Sequence, residues 1–393
     1  MWEESQKQES DEKMFAKEFQ EVKVDVPEVP VSGWLPIPPH FDQADAGKVY
    51  NADAMSILPA AREWGKSHNV PLSATDGTKM LLMIIDAQLT FCHPDFTLFV
   101  GGETGIGAVE DNVRLSRFIY GAAPYITDIA ATMDTHRVNA IFHESMIVDQ
   151  GGNHIPNVPP TPVSYDDVLA GKWRIDPSEV YAHGASLTAL QQHLIDYTRQ
   201  LAETQHGGED RYDLIIWPYH AMLGSIEHAL APCVQEAMLW HHGMRRSRTT
   251  YEIKGADPMH ENYSIFSAEV ESTSYNGHQI SHLDRNVKFL EQLLEYDVVA
   301  IAGQASSHCV AWTIQDLLND ILAKDPSLAS KVHILEDCSS PVVVRDPAGN
   351  IIPGPYTDFR PVAAKKMDEF KAAGMHVVKS TDPVDQWPGY KKP

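Results

Sequence analysis

Cys309 follows an apolar run, DVVAIAG (297–303), and a polar turn, QASSH, and it opens a stretch of helical periodicity, VAWTIQDLL. A cysteine kept for packing is expected inside the apolar run, not just past its end. At a strand-to-helix turn the sulfur lies near the positive helix end, where free N–H groups lower a thiol's pKa and can hold a developing oxyanion. Two other chain positions carry groups that suit a thiol nucleophile. Asp86 closes KMLLMIID (79–86), where six apolar residues precede it and no cation is near in sequence. It reads either as a general base with a raised pKa or as a turn cap. Lys254 closes TYEIKG (250–255) and reads either as a solvated lysine or as the cation beside a thiolate and an oxyanion. Taken together, Cys309, Asp86 and Lys254 make a nucleophile, a base and a cationic stabiliser.

A second group points to a metal. In MDTHRVNAIFH, Asp134 and His136 stand two apart, so an extended backbone aims both the same way. His220, from WPYH, completes a set of one carboxylate and two imidazoles, which suits Zn²⁺, Mn²⁺ or Fe²⁺ with open positions for water or substrate. His143 is a weaker fourth candidate, since a packing or surface histidine is the commoner case. Phe91 and Trp217 are core candidates that, near a reactive edge, could instead sandwich a flat ring. GGETGIG (101–107) lacks the Gly-Lys-Ser/Thr of a phosphate loop and reads as a flexible loop.

The elements that must position these groups alternate. Apolar strand-like runs at 79–86, 126–134, 212–218, 250–255, 297–303 and 331–338, and the closing MHVVKS, are separated by amphipathic helix-like segments such as TALQQHLIDYTRQLAE and NVKFLEQLLEY. This alternation predicts an α/β fold with a mainly parallel sheet. In such sheets ligands sit beyond the carboxyl ends of the strands. Asp86, Asp134 with His136, Trp217 with His220, Lys254, and the turn before Cys309 are all expected at that edge, from five strands. Residues 1–77, charged and then proline-rich, read as an N-terminal extension draped over the domain or a neighbouring subunit. The domain itself spans 78–385, with an insertion at about 144–211.

Composition limits the function classes. The chain has 393 residues, 54 acidic against 31 basic side chains and a formal charge of -23, so nucleic acid and anionic membranes are not expected partners. No run of about 18 apolar residues suggests a membrane span. The polar N-terminus lacks the apolar core of a signal peptide, and four scattered cysteines argue for a reducing compartment; a cytoplasmic location is expected.

The motifs LLMIIDAQLTFC…FVGG, ATMDTH, WPYHAMLGS, IKGADPMHENYSIF, IAGQASSHCVAWTIQDLL and VHILEDCSSP resemble, in order, those of nicotinamidases and the wider isochorismatase-like cysteine hydrolases. The resemblance covers roughly residues 79–380 and leans to the nicotinamidase branch. It implies a three-layer α/β/α fold with a six-stranded, mainly parallel sheet. It implies Asp86, Lys254 and Cys309 as the catalytic triad and Asp134, His136 and His220 as metal ligands, with Zn²⁺ expected ahead of Mn²⁺ or Fe²⁺. Ala305 and Cys309 match the oxyanion-hole positions, with a cis peptide expected at Gln304–Ala305. Phe91, Trp217 and Tyr263 match ring-contacting positions. The implied activity is that of a metal-containing cysteine amidohydrolase cleaving a small carboxamide, nicotinamide to nicotinate plus ammonia, through a thioester. Another amide, carbamoyl or ureido substrate, or a non-catalytic binding or assembly relative, are the alternatives. A small-molecule amide and further copies of the chain are the expected partners. The sequence departs from the family pattern at Asn139–Phe142, where another metal-site histidine is common, and at Ser307, where an acidic residue is common.

Overall fold

In the computed structural model, Val24, residues 33–206 and residues 211–391 are described. The charged N-terminal stretch, most of the proline-rich start of the extension and the 207–210 part of the insertion lie outside them. Eight strands position the site: β1 (Met80–Ile85), β2 (Asp128–Asp134), β3 (Thr161–Val163), β4 (Leu214–Ile216), β5 (Thr249–Lys254), β6 (Val298–Gly303), β7 (Val332–Leu335) and β8 (His376–Val378). Six of them form one sheet in the order β8-β7-β6-β1-β2-β5, and every neighbouring pair is parallel.

The central pair, β1 and β6, is buried at every position, which explains its unbroken apolar sequence. Successive residues still serve opposite faces. Leu81, Met83 and Ile85 join a core with helices α3 (Leu187–His206), α5 (Val287–Leu294), α6 (Cys309–Lys324) and α7 (Arg360–Ala372). Met80, Leu82 and Ile84 join the other core, with helices α1 (Ala54–Ser67), α2 (Gly107–Gly121) and α4 (Pro232–Arg245). Each such fully buried side chain stabilises the fold by about 1.5–3 kcal/mol. The result is the three-layer α/β/α arrangement. Among the described residues no helix is long and apolar enough to cross a membrane.

One expected sheet strand is elsewhere. β4, from the run YDLIIWP, does not enter the central sheet but pairs antiparallel with β3 of the insertion. An apolar run shows that a strand is buried; it carries no information about its partner. The segment after β4 is tied instead to the loop after β2, where Trp217 N–H donates to Phe142 O and His136 N–H to Ala221 O. Four sheet strands, not five, therefore lead into the site, and an antiparallel ribbon brings the remaining groups.

The extension packs closely where it is described. Trp34 lies over Gly121, where an added Cβ would come 2.2 Å from the indole. Helix α1 crosses α4 at small residues: a Cβ on Gly243 would meet Ala61 at 2.8 Å, and Ile57 and Ala61 are buried. In the insertion, α3 buries Leu190, Leu194, Tyr197 and Leu201 against the core that contains α6.

Candidate active site

The first three groups meet at the carboxyl end of the sheet. β1, β5 and the β6–α6 turn carry Asp86, Lys254 and Cys309, all buried. Lys254 Nζ lies 3.0 Å from Asp86 Oδ2, 2.9 Å from Asp134 Oδ1 and 3.5 Å from Cys309 Sγ, and it also donates to Asn262 O at 2.8 Å. Asp86 sits at φ 45, a left-handed conformation that Asp tolerates better than most residues, and this turns the chain sharply out of the strand. Thr132, on the adjacent strand, holds the carboxylate: its hydroxyl donates to Asp86 Oδ1 and accepts from Asp86 N–H.

Burial dominates the electrostatics. It raises the Asp86 carboxyl above its ordinary range, with Lys254 opposing, as suits a base. Burial would lower Lys254, but Asp134 and Asp86 outweigh it and hold the ammonium charged. The thiol departs from expectation. Cys309 is the first residue of α6, yet burial pushes its pKa well up, with Lys254 opposing and Asp86 and Asp134 adding to the rise. The helix end and one cation do not offset desolvation beside two carboxylates. This environment favours the neutral thiol over the thiolate.

Cys309 begins its helix, so its N–H has no intrahelical acceptor. Among the described residues neither it nor the Ala305 N–H donates a backbone hydrogen bond. The peptide between Gln304 and Ala305 is cis. Gln304 is fixed on three sides: its N–H donates to Ile85 O at 2.7 Å, its Nε2 to Asp111 Oδ2 at 3.0 Å, and its Oε1 accepts from Ser340 N–H at 3.3 Å.

Asp134, His136 and His220 come together with ligand atoms within 4.8 Å of one another. His136 Nε2 is 2.8 Å and His220 Nε2 3.8 Å from Asp134 Oδ2. The second ring nitrogens face carbonyls, Gly255 O at 3.2 Å and Pro218 O at 2.8 Å, which suits N–H on each Nδ1; His136 Nε2 pairs with the Asp134 carboxylate, and a metal would take the place of the proton between them. This donor set fits a divalent transition metal. Gly255 is close beneath it: φ is +72, and an added Cβ would lie 2.7 Å from His136 and 2.9 Å from Asp134. His143 is buried with Nδ1 on the Arg137 and Val138 carbonyls, and its ring lies 6.0 Å from those of His136 and His220, outside the three-residue group.

Of these groups Asp134, His220, Ala305 and Cys309 line a small cavity. Phe91, Trp217 and Tyr263 line it, with Trp217 Nε1–H donating to the Tyr263 hydroxyl at 3.1 Å. Four contributors went unread in the sequence. Thr132 orients Asp86. Gln88 clamps the end of β2, with Oε1 accepting from Asp134 N–H and Nε2 donating to Asp134 O. Glu261 and His308 line the cavity, and Glu261 Oε2 and His308 Nε2 have no hydrogen-bond partner among the described residues. Burial raises Glu261 to about 8. For Gln88, Glu261 and His308 the available signal was proximity in sequence to Asp86, Lys254 and Cys309; Thr132 had none beyond standing two residues before Asp134.

No family model matches this chain, and no curated protein does. Among solved structures it is similar to a nicotinamidase–pyrazinamidase of Acinetobacter baumanii, at 16% identity and a TM-score of 0.46, covering 78% of this chain and 99% of that one. It is similar to the yeast nicotinamidase at 18% identity and a TM-score of 0.43, covering 76% and 99%. A zinc complex of the Pyrococcus horikoshii pyrazinamidase gives 14% identity and a TM-score of 0.36, covering 77% and 99%.

Proposed function

We propose that this protein is a metal-containing cysteine amidohydrolase that cleaves a small carboxamide, nicotinamide foremost, to the acid and ammonia. The observation that carries this reading is the Lys254 ammonium set between Asp86, Asp134 and the Cys309 sulfur, beside two backbone N–H groups that donate no backbone hydrogen bond. Asp86 takes the thiol proton as Cys309 attacks the carboxamide carbon. The Ala305 and Cys309 N–H groups hold the resulting oxyanion, and Lys254 balances the charge. Asp86 returns the proton to the departing ammonia, leaving a thioester. Asp86 then takes a proton from a water that attacks this ester, and the acid and the thiol are released. Asp134, His136 and His220 would hold a divalent cation, which would supply Lewis acidity at the site. Phe91, Trp217 and Tyr263 flank a flat ring.

A carbamoyl or ureido substrate is the second reading. Glu261 favours it, because the unpartnered Oε2 of this carboxyl, kept protonated by burial, is a donor that a second acceptor atom on a ureido or carbamoyl compound would satisfy. Ammonia release from a panel of carboxamides and ureides, with Cys309→Ala as the blank, tests both. Release by the wild type and a fall of about 10⁴-fold or more in the variant are expected. Activity surviving in Cys309→Ala would end the covalent mechanism, and release from ureides alone would replace nicotinamide with the second reading.

A further inference from the structure

His308, immediately before Cys309, is buried. Its Nδ1 lies 2.8 Å from Ser307 Oγ. Ser307 Oγ already accepts a hydrogen bond from Val342 N–H at 3.0 Å, and the His308 ring is the group within reach of its hydroxyl proton. Donation from the hydroxyl to Nδ1 gives the Ser307 proton an acceptor, and the opposite direction would leave that proton without one, which favours Nδ1 as the acceptor. Burial depresses the imidazole to about 3, so the ring is neutral and carries a single N–H. With Nδ1 accepting, that N–H sits on Nε2.

Four aromatic rings wall the imidazole: Phe359 at 4.5 Å between centroids, Tyr212 at 4.9 Å, Tyr263 at 5.3 Å and Trp217 at 5.4 Å. Neither tyrosine hydroxyl accepts from it. Tyr212 donates to Ser307 O, and Tyr263 accepts from Trp217. A buried donor without an acceptor is costly, and such groups in native structures call for an explanation. His308 borders the cavity beside Cys309, Trp217 and Tyr263.

We propose that His308 is a specificity-determining residue: its Nε2–H, oriented by Ser307, donates to an acceptor atom on the substrate. The carboxamides taken are then those with a second acceptor away from the scissile carbonyl, such as a ring nitrogen or ring carbonyl. Ser307 is a positioning residue that acts through the tautomer. The proposal deepens the amidohydrolase reading and rests on it for the scissile group.

The test compares benzamide with pyrazinamide and the three pyridinecarboxamide isomers. Binding is read by calorimetry on metal-loaded Cys309→Ala protein, alone and combined with His308→Phe, His308→Gln or Ser307→Ala. Ammonia release is read in the wild type and the same single variants. Long-range ¹H–¹⁵N NMR reads the His308 tautomer. At least one acceptor-bearing ring is expected to bind about tenfold or more tighter than benzamide. His308→Phe is expected to erase that preference with benzamide unchanged, and His308→Gln, which keeps a donor, to retain part of it. Ser307→Ala is expected to weaken the preference and remove the bias to Nε2–H. A preference that survives His308→Phe, equal binding of benzamide and every acceptor-bearing ring, or N–H on Nδ1 would each overturn the proposal. If the wild type releases no ammonia from any amide, the amidohydrolase reading falls, while the binding and NMR arms still decide the role of His308.

Discussion

Lys254 is the residue on which three acidic groups depend, because its ammonium is the cation within 3.5 Å of Asp86, Asp134 and Cys309 alike. Lys254→Met removes that charge and leaves two buried carboxylates facing each other. The expected outcome, read by urea unfolding, is a loss of about 3–5 kcal/mol. A variant as stable as the wild type would mean that the carboxylates are shielded some other way. Gly255 makes a separate prediction. Gly255→Ala forces a Cβ against His136 and Asp134, and the zinc dissociation constant is expected to rise about 10- to 100-fold, measured by competition with a chelator. At this scale the sequence was informative where a group's chemistry and its place at a strand end coincided, as with Asp86, Lys254 and Cys309. It was silent where a residue works through geometry. Gln88 and Thr132 are ordinary polar residues until β1 and β2 lie side by side, and the rise in the Cys309 pKa needs the two carboxylates that folding brings near it.

At the scale of elements, the β6–α6 turn is held by a close backbone approach. Gly303 has φ +119, and an added Cβ would lie 2.0 Å from Ile85 O, so no rearrangement of a flexible side chain can relieve it. Gly303→Ala is expected to separate β6 from β1 at the site, abolishing activity and lowering the unfolding temperature by more than 10 °C in a thermal melt. Helix α4 offers a pH test. His241 is buried between Ser247 Oγ and Ile126 O, and burial, with Arg245 and His242 adding, lowers its pKa from 6.5 to about 3. A depressed folded pKa favours the neutral ring in the native state. Its contribution is therefore complete above pH 6.5 and declines as pH falls towards 3. His241→Gln is expected to flatten the pH dependence of stability in that window by about 1.4 kcal/mol per pH unit, read from urea midpoints. The alternation of strands and helices was legible because buried parallel strands are continuous apolar runs. The misplaced strand, β4, is such a run too, and only its pairing with Thr161–Val163 sets it apart.

For the whole molecule, the described part of the extension behaves as core. Ile57, on α1, is buried in the cluster that holds β1, α2 and α4, and Ile57→Ala is expected to cost about 2–4 kcal/mol in urea unfolding. A change under 0.5 kcal/mol would mean that α1 only drapes over the domain and contributes no core. Proline content and charge described this region's backbone in the sequence, whereas the fit of Trp34 over Gly121 and of α1 over Gly243 depends on small residues far along the chain. The β3–β4 ribbon has a consequence for descent. Asp86, Lys254 and Cys309 sit at the ends of sheet strands, while Trp217 and His220 follow a ribbon whose partner strand lies within residues 144–211. A lineage can rewrite residues 144–211 and shift the wall facing the nucleophile without altering a single sheet strand. Sequences sharing this sheet are thus expected to keep Asp86, Lys254 and Cys309 while diverging along residues 144–211, and a change there would reshape the cavity with the sheet intact.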